Sequence, residues 1–355
     1  MSSVYIKPLL SALLLTSLSL VAPVVFAAPS VGSDKADAIK GHTKVVIAEF
    51  GVEFYTQRFA TATAGGVAGS SSSALVATLT GVSDASMQAI TDQAYADTVN
   101  ALKQAGFEVV DNHELLNNPI YQQLAKTYGT DSPYQLNDKE LVKGETTISK
   151  IFDPTGQKAY FSSGTARGDF KQRIDVQNQG RGMKEGQLAK ALGVTLLHVN
   201  YLANFAEPHS KKPGVLASMS SNAKTSIDYL PELVADETAF QFVTESGART
   251  FTTSRRPRHT GAVYLSDNFE ASQNIFQSVE STSAESKKKE AVGNVTSAVV
   301  SGLFSLATGS GVGGHNSKKA TYDVSPNSEE AFKQTYENLI SQSAAAMATK
   351  LAQNK

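Results

Sequence analysis

Six histidines, no cysteine and scattered carboxylates are the chemistry-bearing residues of this 355-residue chain. The histidines are His42, His113, His198, His209, His259 and His315, and no two lie three or four positions apart. No helix can therefore offer two imidazoles to one metal ion, so no metal site is expected from the pattern. The lack of cysteine removes thiolate ligands, thiol nucleophiles, disulfides and acylation at an N-terminal cysteine. His198 sits in the apolar run Val194 to Leu202, where an imidazole reads first as a hydrogen-bonded core residue and second as a ligand. His113 follows Asp111 by two residues, a neighbourhood that helix capping explains. A Ser-His-Asp triad is defined by geometry and stays open, but no Gly-x-Ser-x-Gly elbow supports it.

Two further clusters carry chemistry. Gly309, Gly311 and Gly314 satisfy Gly-x-Gly-x-x-Gly, yet a dinucleotide site needs that turn to open a helix. Here Asn316-Ser317-Lys318-Lys319 follows, and no cofactor is expected. Arg255, Arg256, Arg258 and His259 gather cations around Pro257. They read as a solvated turn or as a contact for anionic lipid, glycan or an acidic partner, because neighbouring cations raise the local potential. Ser210-Lys211-Lys212-Pro213 reads as a loop.

The elements that must position these residues centre on Ser83 to Tyr128. Ser83 or Asp84 can cap a helix whose stripe is Met87, Ile90, Ala94, Thr98, Ala101 and Leu102, and Gly106 stands where a left-handed residue ends it. Phe107 to Val110 reads as a short strand, followed by a helix with Asn118 as cap and Pro119 at its first position. The device returns later: Gly186 to Leu192 reads as a short helix, Gly193 stops it, and Val194 to Leu202 follows as a strand. Val45 to Phe54 alternates, with Val46, Ala48, Phe50, Val52 and Phe54 on one face and Val45, Ile47 and Glu49 on the other. Phe240 to Val243 and Arg249 to Thr253 read as strands around a turn, and Gly261 to Leu265 as another. Asn268 to Val279 has a weak helical pattern, and Ser328 to Gln353 a strong one. Helices alternating with strands place the chain in the α/β (or α+β) class: a mixed sheet with helices packed against it.

Composition is globular, 41% hydrophobic and 18% charged, and a net charge of -1 gives no reason to expect nucleic acid. Residues 1–27 read as a signal peptide: Lys7, the apolar run Leu9 to Phe26, and small residues Val25 and Ala27 before the cut. Cleavage after Ala28 and an uncleaved anchor are the alternatives. Residues 28–43 read as a flexible lead-in and 44–355 as one domain with inserts at about 60–80, 129–181 and 287–319. The first insert is Ala/Thr/Gly/Ser-rich, a mobile loop or a membrane- or partner-facing hairpin. The second is polar and glycine-rich, with Tyr160-Phe161 as a short strand and Asp153-Pro154-Thr155-Gly156 as a tight turn. The third carries Val295, Val299, Leu303 and Phe304 at helical spacing but is interrupted by glycines. It is too short to span a bilayer as a helix and reads as a loop or as an interfacial or membrane-active hairpin.

The order strand, helix-Gly, strand, helix, helix-Gly-strand, hairpin, closing helix resembles the α/β domain of the curli-secretion channel family (CsgG-like) and the amino-terminal domain of TolB. The stretches that carry the resemblance are Lys44 to Phe54, Ala101 to Gln123, Gln187 to Leu202, Phe240 to Thr253 and the final helix. That family consists of lipoproteins whose pore hairpins are inserted between core elements, and this chain has no cysteine to acylate. With the signal peptide and the lack of a catalytic motif, the resemblance implies a non-enzymatic, exported protein of the bacterial periplasm or outer membrane, or a secreted one. It would bind protein partners, as a homo-oligomer or otherwise, in outer-membrane assembly or secretion. The alternatives are an exported hydrolase using His113 or His198 and a membrane-inserting oligomer acting through 287–319.

Overall fold

The computed structural model describes residues 28–66, 69–129, 131–139, 146–157, 176–211, 224–245, 261–281 and 315–355. The leader, the Arg255–His259 cluster, Tyr160-Phe161, Arg249 to Thr253, Val295, Val299, Leu303, Phe304 and the three glycines of the Gly-x-Gly-x-x-Gly match lie outside the described residues.

One long strand organises the chain. After β1 (Val31–Asp34) and a 3-10 turn (Ala36–Ile39), β2 runs from Lys44 to Gly66 and returns as β3 (Gly69–Leu79). Helix α1 (Asp84–Gln104), β4 (Glu108–Val109), α2 (Asn112–Leu116), α3 (Pro119–Tyr128) and the hairpin β5 (Tyr134–Lys139) and β6 (Thr146–Phe152) follow. Then come α4 (Val176–Leu192), β7 (Thr195–Asn204), β8 (Glu207–Lys211), β9 (Lys224–Asp228), β10 (Glu232–Leu233) and β11 (Ala239–Val243). β12 (Gly261–Leu265), β13 (Phe269–Glu270), β14 (Phe276–Glu280), β15 (His315–Pro326) and α5 (Glu329–Ala352) complete the chain. The fold is α/β. Thirteen strands form one mixed sheet whose main path is β1-β12-β11-β7-β2-β3-β15-β14, and β8–β9 form a separate pair.

The predicted caps are present. Ser83 Oγ accepts from the Ser86 amide, Asn118 Oδ1 from Ile120 with Pro119 at the first position, and Ser328 Oγ from Ala331. Gly106 and Gly193 take positive φ of 83° and 61° and turn each helix directly into the next strand. The two long helices are also tied to each other at their starts. Glu329 accepts from the Ser83 amide and from the hydroxyls of Ser83 and Ser86, and these bonds hold its carboxyl down to about 2.

Helices cover both faces of the sheet. α1 and α5 pack on one face with Phe50, Val52, Phe54, Val199 and Tyr201. α2, α3 and α4 cover the other with Val46, Ala48, Leu196 and Val243. This corrects the uniform alternation expected for β2. Its pairing with β7 slips between Ile47 and Glu49, a β-bulge in which Ala48 is the extra residue. Val45 and Ile47 face α1 and α5; beyond the bulge Phe50, Val52 and Phe54 face that same side. A bulge changes the phase of the pleat, which strict period-two reading cannot anticipate.

Other differences have physical reasons. Within 60–80, residues 60–66 of β2 and 69–79 of β3 pair as an extended ladder rather than a loop, because β15 lies parallel along β3 from Ser70 to Leu79 and satisfies its backbone. Val31–Asp34, inside the expected lead-in, pairs with β12 as an edge strand. Asn268 to Val279 is two short strands, β13 and β14, whose pairing with β10 and β15 overrides a weak helical pattern. Within 129–181, β6 joins the sheet against β2. Val52, Glu53 and Phe54 pair with β6 on one side and β7 on the other, while Gln57 pairs with both Ile148 and Thr78. So β3 takes over from β7 along the same side of β2. The core sheet thereby passes into a four-stranded ribbon, β2-β3-β15-β14.

Candidate functional site

His198 is where the sequence reading and the structure meet. It lies on β7 among strand residues that alternate between the two faces, and it points to the α4 side with Leu196. The bulge at Ala48 sets Glu49 directly opposite it, on the same side. A helix longer than expected closes the group from above: α4 starts at Val176 rather than Gly186, and its extra turns carry Arg181 and Glu185. These four side chains form a buried ion network. Arg181 Nη2 donates to Glu49 Oε2 at 2.6 Å, and Arg181 Nε donates to Glu185 Oε1 at 3.0 Å. His198 Nδ1 donates to the same Glu49 oxygen at 2.7 Å, since a carboxylate can only accept. His198 Nε2 lies 3.8 Å from Glu185 Oε1.

Aromatic residues wall the network. The Arg181 guanidinium stands 5.9 Å from the centre of the Tyr128 ring. Burial raises the Tyr121 hydroxyl far above its ordinary range, and the negative charges of Glu49 and Asp153 add to the shift. Buried Gln241 sits opposite His198 in the register of β11.

Glu49, Glu185 and His198 place three donor atoms within 4.8 Å of one another, the raw material of a cation site. The arrangement fits a guanidinium better than a metal ion. Arg181 is fully buried and already bridges both carboxylates, so a metal ion would have to displace a paired cation. The network is a set of buried ion pairs that joins α4 to the sheet.

His113 and His209 lie on other elements. His113 is exposed on α2, its amide capped by Asp111 and its ring within reach of the Asn117 amide nitrogen. His209 on β8 pairs with Asp228 on β9 at 3.1 Å, both largely exposed. His113 and His198 are thus a surface residue and a core residue. An open groove of about 440 Å³ between Pro29, Val31 and the last turns of α5 contains neither of them.

A second buried polar group lies where β7 ends. Glu232 accepts from Asn204 at 2.6 Å and from Asn268 at 2.9 Å, and Tyr336 donates to the Asn204 carbonyl at 2.6 Å. Burial raises the Glu232 carboxyl above its usual range, partly offset by the Asn204 bond. Arg58 donates to the Ala206 carbonyl and pairs with Glu207, which anchors β8–β9 beside the ribbon.

Sequence reasoning found His198 and its role as a bonded core residue but missed Glu49, Arg181 and Glu185 as its partners. The available signal was the Arg-x-x-x-Glu spacing at 181 and 185, which puts both side chains on one helix face. Glu49 in an otherwise apolar strand was the other.

Comparison with known proteins adds little. No family model matches the chain, and no curated protein matches it. A solved structure, that of the Evf virulence factor, aligns over 82% of this chain and 95% of its own, at 10% identity and a TM-score of 0.20. At that score the likeness supports no argument about fold or activity.

Proposed function

We propose that this chain is a non-enzymatic protein of the bacterial envelope that acts by binding protein partners, further copies of itself included, in outer-membrane assembly or secretion. The observation that carries this reading is the ribbon that β2, β3 and β15 form beyond the core. The core ends near Tyr55, Ala77, Leu79 and Tyr322, yet β2 continues to Gly66 with β3 and β15 alongside. An extended ribbon of this kind presents strand edges and backbone groups to a partner. The His198 network lends further support, since its acid and base groups are paired with one another between α4 and the sheet. The resemblance to the curli-secretion channel family points the same way.

A specific observation keeps the membrane-inserting alternative in view. The chain leaves β14 at Glu280 and re-enters β15 at His315, so the insert at 287–319 departs from the ribbon side of the sheet. Among the described residues no helix is long and apolar enough to cross a membrane, which says nothing about strands.

Light scattering of the processed chain from Ala28 to Lys355, with and without liposomes, tests both readings. The proposal expects a defined oligomer or a stable complex with envelope proteins. Movement of that oligomer into liposomes would add the insertion reading. A monomer that forms no complex and ignores lipid would overturn both.

A further inference from the structure

The main path of the sheet begins at β1, which has β12 on one side, antiparallel from Val31 opposite Leu265 to Asp34 opposite Ala262. The phase of that ladder is set just before the strand, where the Ser266 amide donates to the Ser30 carbonyl. Hydrogen-bonded positions alternate along an antiparallel pair. Ser30, Gly32 and Asp34 therefore bond to β12, while Val31 and Ser33 turn their N–H and C=O groups to the open edge. Among the described residues nothing pairs with those groups. Ser33 and Asp34 are exposed, and Val31 and Gly32 are half-buried. A row of unpaired donors and acceptors is a template for one more strand.

The space beside that edge can receive side chains. Val31 turns to the α5 side with Leu265, and the open groove of about 440 Å³ lies between it and the last turns of α5. The helix presents small side chains there, Ala345, Ala346 and Thr349, of which Ala345 and Thr349 are exposed. A strand laid along β1 would put alternate side chains over this surface without meeting a bulky residue. The one charged residue lining the groove is Lys350, and its ammonium has no ion pair or hydrogen bond among the described residues.

We propose that the β1 edge and this groove form a docking site for an extended acidic segment of a partner protein, which adds as one more strand and sets a carboxylate beside Lys350. Backbone pairing with Val31 and Ser33 supplies affinity, and the small residues of α5 admit the side chains. The ammonium selects an acidic segment over a neutral or basic one. The site lies at the opposite end of the sheet path from the ribbon, so it stands whether or not the ribbon binds partners.

Calorimetric titration of the processed chain tests it. The probe is a short acetylated and amidated peptide of alternating threonine and valine with glutamate at both ends, compared with the same peptide carrying glutamine or lysine there. The glutamate peptide should bind about two- to fivefold more tightly than the glutamine one, and the lysine one should bind most weakly. Lys350→Gln should remove that order without removing binding. Ser33→Pro deletes an outward N–H that the ladder with β12 does not use, which an edge strand tolerates, and should weaken all three peptides about tenfold. It leaves β2, β3 and β15 untouched, so its effect is separate from any failure of the ribbon to bind. No binding of the glutamate peptide at millimolar concentration would overturn the proposal. So would binding indifferent to Ser33→Pro, or a preference for glutamate that survives Lys350→Gln. A dimer in light scattering that Ser33→Pro dissolves, with no peptide bound, would give the edge to a second copy and overturn the acidic partner.

Discussion

Replacing Arg181 by methionine lowers stability by about 3–5 kcal/mol, read as a shift in the urea midpoint, because it removes the buried cation that two buried carboxylates share. The methionine keeps much of the volume, so the loss reports charge and not a cavity. Glu49 and Glu185 both pair with the same guanidinium, at 2.6 Å and 3.0 Å, and His198 shares the Glu49 oxygen. A loss of this size is a large part of the roughly 5–15 kcal/mol available to an ordinary domain. Adding Glu49→Gln and Glu185→Gln to the same variant should recover most of it, since neutral partners no longer require compensation.

Phe54→Ala has a comparable effect for an unrelated reason. Phe54 is buried at the point where β2 leaves the core, with Phe152 of β6 at 5.9 Å edge-on and Phe332 and Tyr336 of α5 each at 6.3 Å. Truncation removes the ring's transfer energy and leaves a cavity between rigid elements that cannot collapse into it, a cost of about 3–5 kcal/mol. The midpoint of denaturation should fall with little change in slope, marking lost stability rather than a changed denatured state. Since β2 enters the ribbon just beyond Phe54, the variant should also weaken any association that the ribbon supports.

The contrast between these residues shows what the sequence could reveal. Helices α1 and α5 were legible because their apolar stripes, caps and charged ends agree with one another. Gly106 and Gly193 were legible because a positive φ at a helix end has one economical solution. The strand β2 was legible as an element but not in its phase. Nothing in Val45 to Phe54 marks Ala48 as a bulge, because small and apolar residues suit either side of it. The bulge is set by pairing with β7, a contact made about 150 residues away. The hairpin of β2 and β3 was legible only as an alternative to a loop, for a similar reason: its serines and glycines have weak strand preference, and β15 supplies the pairing.

The site was half legible. His198 in an apolar strand announced a buried imidazole with a partner, but the partner could not be named from order alone. Arg181 and Glu185 fall in a stretch whose glycines at 180, 182 and 186 weaken helix propensity, so the pattern alone starts α4 too late. Tertiary pairing with Glu49 outweighs that local cost and extends the helix across them.

The central claim is that Glu49 and Arg181 depend on each other as part of the buried network that joins α4 to the sheet. A double-mutant cycle between Glu49→Gln and Arg181→Met, read by urea denaturation, measures this directly. The account predicts a coupling energy of at least about 1.5 kcal/mol, with the double variant markedly more stable than the two single losses would sum to. Losses that add to within about 0.5 kcal/mol would mean that the two charges do not depend on each other, and would contradict it.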